Sequence, residues 1–331
     1  MKWYEVKEYS AGEKRLMLTY FLYKTFGKIA VNIIAFFVGL GTFLYAKSLR
    51  ISSAKNLSAL GQKPSLFNVL RNILSYAFAQ ADKIEVFSGK FIPDNIVFEN
   101  NSDMKSFREN VHNKKGSVCI FSHLGNIDVI RALLEKDKTD ITVFLSLKQA
   151  EIFRKFLNRI SVENHVSAYS VEDIGINTAI EIKDKINNGE FIFIAGDRVS
   201  ENAGMKKFEV DFLNKKIDLP KGTFKLAELI EAPVFFVIAV KIKNKYKFVV
   251  KKFENYEKCS KNMASDFSKF IAEWSSKYPF QFYHFYDFFK DWFFINKITA
   301  KKNLRFGSGT IIDIGGDKVW LIKSDFAFNH F

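Results

Sequence analysis

Cysteine and proline are both scarce in this chain: Cys119 and Cys259 are the two cysteines, and there are five prolines in 331 residues. Two thiols exclude a disulfide framework and a multi-cysteine zinc site, and favour a cytosol-facing body. Several catalytic signatures are also missing. No Gly-x-Ser-x-Gly elbow occurs, which disfavours a covalent serine hydrolase. Neither a Gly-x4-Gly-Lys-Ser/Thr phosphate loop nor a His-Glu-x-x-His metal site is present. Asp-x-Asp, usual in metal-dependent glycosyltransferases, is absent too. No small-residue cleavage site follows an early apolar run, so the N-terminus does not read as a secretory signal. Acidic residues are outnumbered, 36 against 50 basic, leaving a net charge of +14.

That excess of positive charge suits an anionic partner: a phospholipid surface, a phosphate-bearing cofactor or nucleic acid. The plain alternative is a bias of genome base composition towards Lys, Asn, Ile and Phe. The 37 phenylalanines turn the expectation towards a membrane interface, where aromatic and basic residues combine, and away from nucleic acid. The length allows one large core or two modest ones.

Residues 1–28 are polar to amphipathic. Residues 29–46 then form an uncharged apolar run, bracketed by Lys24 and Lys28 before it and Lys47 and Arg50 after it. The run is just long enough to span a bilayer, and a hairpin helix inserted into one leaflet fits equally well. Basic residues on both flanks leave its orientation open. Residues 51–110 read as helices and connections, with an amphipathic helix after Pro64 reaching about Ala81. His112 reads as a solvated loop histidine.

From residue 117 the pattern alternates strand and helix. Strands are expected at 118–121, 141–145, 165–169, 191–195, 233–240 and 246–253, and helices at 148–160 and 176–188. The stretch from Val118 to Asp128 organises the rest. A short apolar strand opens through a polar turn carrying His123 into a helix that continues to Leu134, with Asn126 as its expected N-cap. In open α/β sheets that rim is where ligands bind. Asp128, five residues on, meets the imidazole only if His123 is still in the turn, because same-face helical spacings are three and four. A carboxylate on one ring nitrogen fixes the tautomer and leaves the other to take a proton. The plain alternative is a turn histidine and a helix-start acid favoured by the macrodipole.

Gly196-Asp197-Arg198 follows the fourth strand as the His123 turn follows the first. Arg198 can fork onto a phosphate or carboxylate, or simply pair with Asp197. Further on, 210–213 and 219–225 lead into an apolar helix whose start, with Lys221 and Gly222, can hold an anion. The aromatic stretch 278–289 packs a core or interface, or lines an acyl channel. Residues 297–331 read as a small β-rich tail with glycine turns. The expected fold is therefore α/β: a mixed, mostly parallel sheet flanked by helices, with an N-terminal membrane-associated helical segment. Three regions are expected: a helical 1–110 with the embedded helix at 29–46, an α/β unit over 111–294, and the tail from 295.

Four pieces in order, His-x4-Asp at 123–128, Gly-Asp-Arg at 196–198, Val-Asp-Phe-Leu…Pro-x-Gly at 210–222 and Tyr-Pro-x-Gln-Phe-x-x-Phe-Tyr-x-Phe at 278–288, resemble the bacterial lipid A late acyltransferases and their relatives in the lysophospholipid acyltransferase superfamily. The resemblance runs to about Phe289. It implies an enzyme at the cytoplasmic face of a bacterial inner membrane, carrying a fatty acyl chain from an acyl thioester to a lipid hydroxyl. Acyl carrier protein or coenzyme A would present the acyl chain, and no cofactor or metal is implied. His123 would be the general base and Asp128 its orienter. Arg198 with Asp197, Asn126, Lys221 and Gly222 would make up the substrate-binding set. Lipid A enzymes commonly carry Glu where this chain has Asp128, whereas Asp is usual in glycerolipid acyltransferases, so the acceptor is a lipid A-like glycolipid or a lysolipid. Two rival readings stand beside it: a membrane-associated glycosyltransferase and a non-catalytic membrane-binding protein.

Overall fold

The computed structural model describes residues 13–99, 101–160, 165–199, 206–254 and 259–289, and the backbone of 292–295, 309–314 and 317–323. Three helices come first: α1 (Glu13–Tyr45), α2 (Lys47–Ala59) and α3 (Leu66–Phe87). Strand β1 (Ile96–Phe98) and helix α4 (Ser102–His112) follow. The alternating part is β2 (Ser117–Gly125), α5 (Asp128–Lys136), β3 (Ile141–Leu145), α6 (Leu147–Ile160), β4 (Val166–Ser170), α7 (Ile176–Asn187) and β5 (Phe191–Ala195). A hairpin of β6 (Lys207–Phe212) and β7 (Lys215–Pro220) leads into α8 (Lys221–Ile230). Then come β8 (Val234–Ile242), β9 (Lys245–Lys252) and α9 (Ser260–Lys277).

Seven strands form one sheet in the order β1-β9-β8-β2-β5-β3-β4, with every neighbour parallel except the β8–β9 hairpin. Strand alternation divides the core into two layers. Val118, Ile120, Ile192, Ile194, Phe236 and Ile238 pack with α7, α8 and α9 on one face. Cys119, Phe121, Phe191, Phe193, Phe235 and Val237 pack with α1, α3, α4, α5 and α6 on the other. β2 and β5 are nearly all buried, as parallel strands covered on both faces must be. The chain leaves β2 towards β3 on one side and returns through β5 before crossing to β8 on the other. The carboxyl ends of β2 and β5 therefore flank a topological switch point, the usual ligand crevice of such sheets.

Several elements differ from the sequence-based expectation. The apolar run expected at 29–46 is the second part of α1, and the residues before it are helical too, across a kink at Gly27, whose φ of 76° breaks the helical run. Residues Leu16–Tyr45 are long and apolar enough to cross a membrane by length and composition, and only 17% of their most apolar stretch is buried. α1 lies along α3: Val31, Ala35 and Gly39 recur every fourth residue, and a Cβ on Gly39 would sit 2.8 Å from Leu74. α3 runs one and a half turns past the expected end. The β6–β7 hairpin stands where only a lead-in to a helix was expected, and β1 was not foreseen. His112 belongs to the last turn of α4, where a basic side chain complements the helix dipole. In the C-terminal part, a three-stranded antiparallel sheet joins β10 (Trp292–Ile295), β12 (Asp317–Lys323) and β11 (Gly309–Ile314), so β10 crosses the expected boundary at residue 295.

β2 does not stop at Phe121. It shifts register against β8 between Phe121 and Gly125, and it carries His123 on the strand and not in a turn. Gly125 makes this possible: its φ is +76°, and a Cβ there would come within 2.0 Å of the Ala239 carbonyl oxygen, which accepts the Asn126 N–H at 2.7 Å. We expect Gly125→Ala to destabilise the fold by about 2–4 kcal/mol, because it combines left-handed strain with a backbone clash. Urea unfolding measures this, and a change under half a kcal/mol would contradict the account.

Candidate functional site

The parallel pairing of β2 with β5 places Phe121 opposite Ala195, so the residues after each pair meet at the rim. Gly196 N–H donates to the Phe121 carbonyl at 2.9 Å. A Cβ on Gly196 would lie 2.5 Å from Ile120, so only glycine lets the chain turn there. The turn delivers Asp197 directly beneath the end of β2. Its carboxylate is fully buried. Oδ1 is 2.8 Å from His123 Nδ1. Oδ2 accepts the Ser122 hydroxyl and the His123 backbone N–H, both at 2.6 Å, and lies 3.1 Å from His284 Nε2.

Burial alone would raise the Asp197 pKa, but the charges and hydrogen bonds of His123 and His284 overcome it and hold the carboxyl well below the usual carboxylate range. An ionised carboxylate only accepts, so His123 Nδ1 carries the proton. The unprotonated nitrogen is then Nε2, which has no hydrogen-bond partner among the described residues. Burial lowers the His123 pKa, and the Arg198 charge adds to that while Asp197 opposes it. The imidazole is thus neutral at physiological pH. Its side chain still keeps 28% of its surface accessible, which suits a base that must be reached by a substrate.

The expected dyad is corrected by this geometry. Asp128 stands in the first turn of α5 and forms an ion pair with Lys83 Nζ on α3 at 3.0 Å. No hydrogen bond joins it to His123. The physical reason is the extension of β2: with His123 still on the strand and Gly125 in a left-handed turn, α5 starts on the far side of the turn. Asn126 has a structural place. Its side-chain oxygen accepts the Asp128 N–H at 3.3 Å, its amide donates to the Ala79 carbonyl at 2.9 Å, and it is buried. Both polar ends are thereby engaged within the protein and are not presented to a substrate.

Arg198 is brought to the site, close enough for its charge to lower both His123 and His284. Lys221 and Gly222 open α8, and the next residue, Thr223, ties that helix start to the end of β5 through a 2.8 Å hydrogen bond to the Ala195 carbonyl. Lys221 Nζ sits 5.7 Å from the Phe208 ring centroid, and Gly222 faces open space. A hollow lined by Asp103, Phe236, Lys251 to Glu254 and Asp266 lies near the start of β8 and the end of β9, away from His123.

The third wall of the site is the aromatic segment 278–289. Phe282 bridges Leu124, and Tyr283 N–H donates to the His123 carbonyl at 3.0 Å. Buried amides secure this irregular backbone, which could not otherwise stay buried. Asn72 of α3 donates to the carbonyls of Phe280 and Phe282, and Asn56 of α2 to those of His284 and Tyr286. Gln281 clasps the Lys241 backbone in both directions, at 2.7 and 2.8 Å. His284, Ser122, Tyr286 and the role of Asp197 as the partner of His123 were not expected from the sequence. For Asp197 a signal existed: two strand-end motifs meet at one rim if their strands are parallel neighbours. For His284, one histidine in an aromatic run, there was none.

No protein-family model matches this sequence and no curated protein matches it; the functional reading rests on the residues and their geometry. Among the described residues no cluster of three or more His, Cys, Asp or Glu side chains could hold a metal ion. His123, Asp197 and His284 together predict acid sensitivity. Burial, helped by the charges of His123 and Arg198 and opposed by Asp197, takes His284 from 6.5 down to about 4, and His123 and Asp197 are also depressed. The unfolded chain therefore binds more protons than the folded one once the pH drops below 6.5, and stability falls with it. From His284 alone, going from about pH 7.5 to about pH 4.5 should cost about 2–3 kcal/mol. Urea midpoints across that range test the sign, and a rise in stability on acidification would contradict it.

Proposed function

We propose that this chain is an O-acyltransferase that moves a fatty acyl group from an acyl thioester to a hydroxyl of a membrane lipid or glycolipid. The observation that carries this reading is the buried, ionised Asp197 holding Nδ1 of a neutral, accessible His123 at the switch point of the sheet. The motif order described above agrees with it, lipid A-like biosynthesis or lysolipid acylation being the corresponding pathways. The base is then His123 with Asp197 as its orienter, and Asp128 is not part of the pair.

In the reaction His123 Nε2 takes the proton of the acceptor hydroxyl as its oxygen attacks the thioester carbonyl. The tetrahedral oxyanion forms beside the Arg198 guanidinium, the nearest fixed positive charge in the sequence-expected set. Collapse re-forms the carbonyl and breaks the C–S bond, and the departing thiolate takes the proton from Nε2. No covalent enzyme intermediate is required. Asp197 keeps the ring in its tautomer and stabilises the transient imidazolium.

The lipid acceptor accounts for the exposed face of α1. Phe21, Phe26, Ile29, Ile33, Phe37 and Val38 are each more than half exposed, and Phe67 at the start of α3 is 72% exposed. Such a patch is far larger than isolated surface residues and suits contact with a bilayer. With the net charge of +14 it favours an anionic, cytoplasm-facing leaflet.

Full-length protein in vesicles containing lysolipid and glycolipid acceptors, given acyl-coenzyme A or acyl carrier protein, provides the test by mass spectrometry. We expect His123→Ala and Asp197→Asn each to lower turnover by roughly 10²–10⁴-fold, and Asp128→Asn by less than about tenfold, in line with a surface ion pair. Equal losses at 128 and 197 would put the orienter back at Asp128. Full turnover in His123→Ala would end the general-base reading. Transfer of a sugar from a nucleotide donor, with no acyl transfer, would favour the glycosyltransferase.

Membrane contact has its own measurement. The double variant Ile29→Asp, Phe37→Asp changes only exposed positions, so its circular dichroism should match the parent while binding to anionic vesicles falls at least about tenfold. Undiminished sedimentation with vesicles would remove α1 as the contact.

A further inference from the structure

Within the 278–289 segment, His284 packs among phenylalanine rings where another phenyl ring could stand. Its ring stacks on Phe288 at 4.4 Å between centroids and lies against Phe282 at 4.3 Å. It is 1% exposed. An imidazole buried among phenyl rings costs desolvation free energy that a phenyl ring would not, and what it adds is two nitrogens. Nδ1 lies 2.8 Å from the Tyr286 hydroxyl. Nε2 has no aligned hydrogen-bond acceptor, and the group it faces is Asp197 Oδ2 at 3.1 Å.

We propose that His284 is a positioning residue for His123, tuning that base through the Asp197 carboxylate that both imidazoles share. This rests on the general-base reading above, yet the coupling itself is independent of which reaction the base serves. Proton counting gives the arrangement its direction. Tyr286 has one O–H proton, and Nδ1 at 2.8 Å is a closer acceptor than the Asp197 carbonyl at 3.2 Å. With the Tyr286 hydroxyl donating to Nδ1, the neutral ring carries its own proton on Nε2, 3.1 Å from Asp197 Oδ2 without hydrogen-bond alignment. That N–H draws on the same negative charge that stabilises a protonated His123, so His284 keeps His123 a weaker base than Asp197 alone would make it. The titratable and charged groups around the cluster are Ser122 and His123 on β2, Asp197 and Arg198 after β5, Lys83 on α3 and Tyr286 on the segment itself.

The experiment is an NMR titration of the histidine side chains in the full-length, detergent-solubilised protein. The wild type is compared with His284→Phe, which keeps the ring stack, and with His284→Gln, which keeps an N–H near the place of Nε2. We expect the His123 midpoint to rise by about one unit in the Phe variant, a tenfold change in its protonation equilibrium, and to return to within about a third of that in the Gln variant. The acid limb of kcat/KM for acyl transfer should move up with it, with KM for the thioester within about twofold at alkaline pH. A folded Phe variant whose His123 midpoint is unmoved overturns the proposal and leaves His284 a packing residue. If that variant does not fold, the wild type decides through its ¹⁵N shifts: a proton on His284 Nε2 supports the coupling, and a proton on Nδ1 with bare Nε2 overturns it. Absence of acyl transfer in the wild type would count against the proposed reaction alone, because the titration reads the coupling without it.

Discussion

One buried negative charge organises this molecule's rim. Asp197 has no contact with bulk water, and a lone carboxylate in such a place would lose its proton only at high cost. It is ionised because three donors converge on it, a hydroxyl, a backbone N–H and the His123 imidazole, with the His284 ring 3.1 Å away. Each of these groups comes with a structural demand. β2 must run past Phe121 to supply Ser122 and His123, Gly196 must turn the chain without a side chain, and the aromatic segment must bring His284 in from a distant part of the sequence. The carboxylate is therefore both the centre of the site and a constraint on three chain segments.

The helices serve that constraint from behind. α3, together with Asn56 of α2, reaches the site from the N-terminal helices. Asn72 secures the aromatic segment, Lys83 takes Asp128 away from the imidazole, and Asp82 gathers Lys28 of α1, Lys241 of β8 and the Tyr246 hydroxyl. That buried acid clasps the apolar helix to the sheet, with the second cation and the tyrosine offsetting its desolvation. α3 thus connects the apolar helix on one side with the His123 rim on the other.

Glycine does at two points what no other residue could. Gly125 lets the chain leave β2 under the Ala239 carbonyl, and Gly196 lets β5 end against Ile120 and Phe267. Both are within three residues of His123 or Asp197. Two close approaches that only glycine permits thus flank the pairing of His123 with Asp197.

How much of this was legible beforehand follows from the range of each interaction. Alternating apolar runs, the helical spacing of residues 148–160 and 176–188, the apolar N-terminal helix and the position of His123 at a strand end are local properties. Pattern and propensity read them directly, and the α/β sheet with its rim followed. Partner choice is not local. His123 and Asp128 are five residues apart and end up on opposite sides of a left-handed turn, while Asp197 and His284 are 74 and 161 residues away and end up on one carboxylate. Sequence alone determined that a histidine would stand at the end of a buried strand beside an acid-bearing turn. Only the tertiary structure decided which acid it meets, because strand order in a parallel sheet is set by how helices pack on its two faces, and no stretch of the chain carries that order by itself.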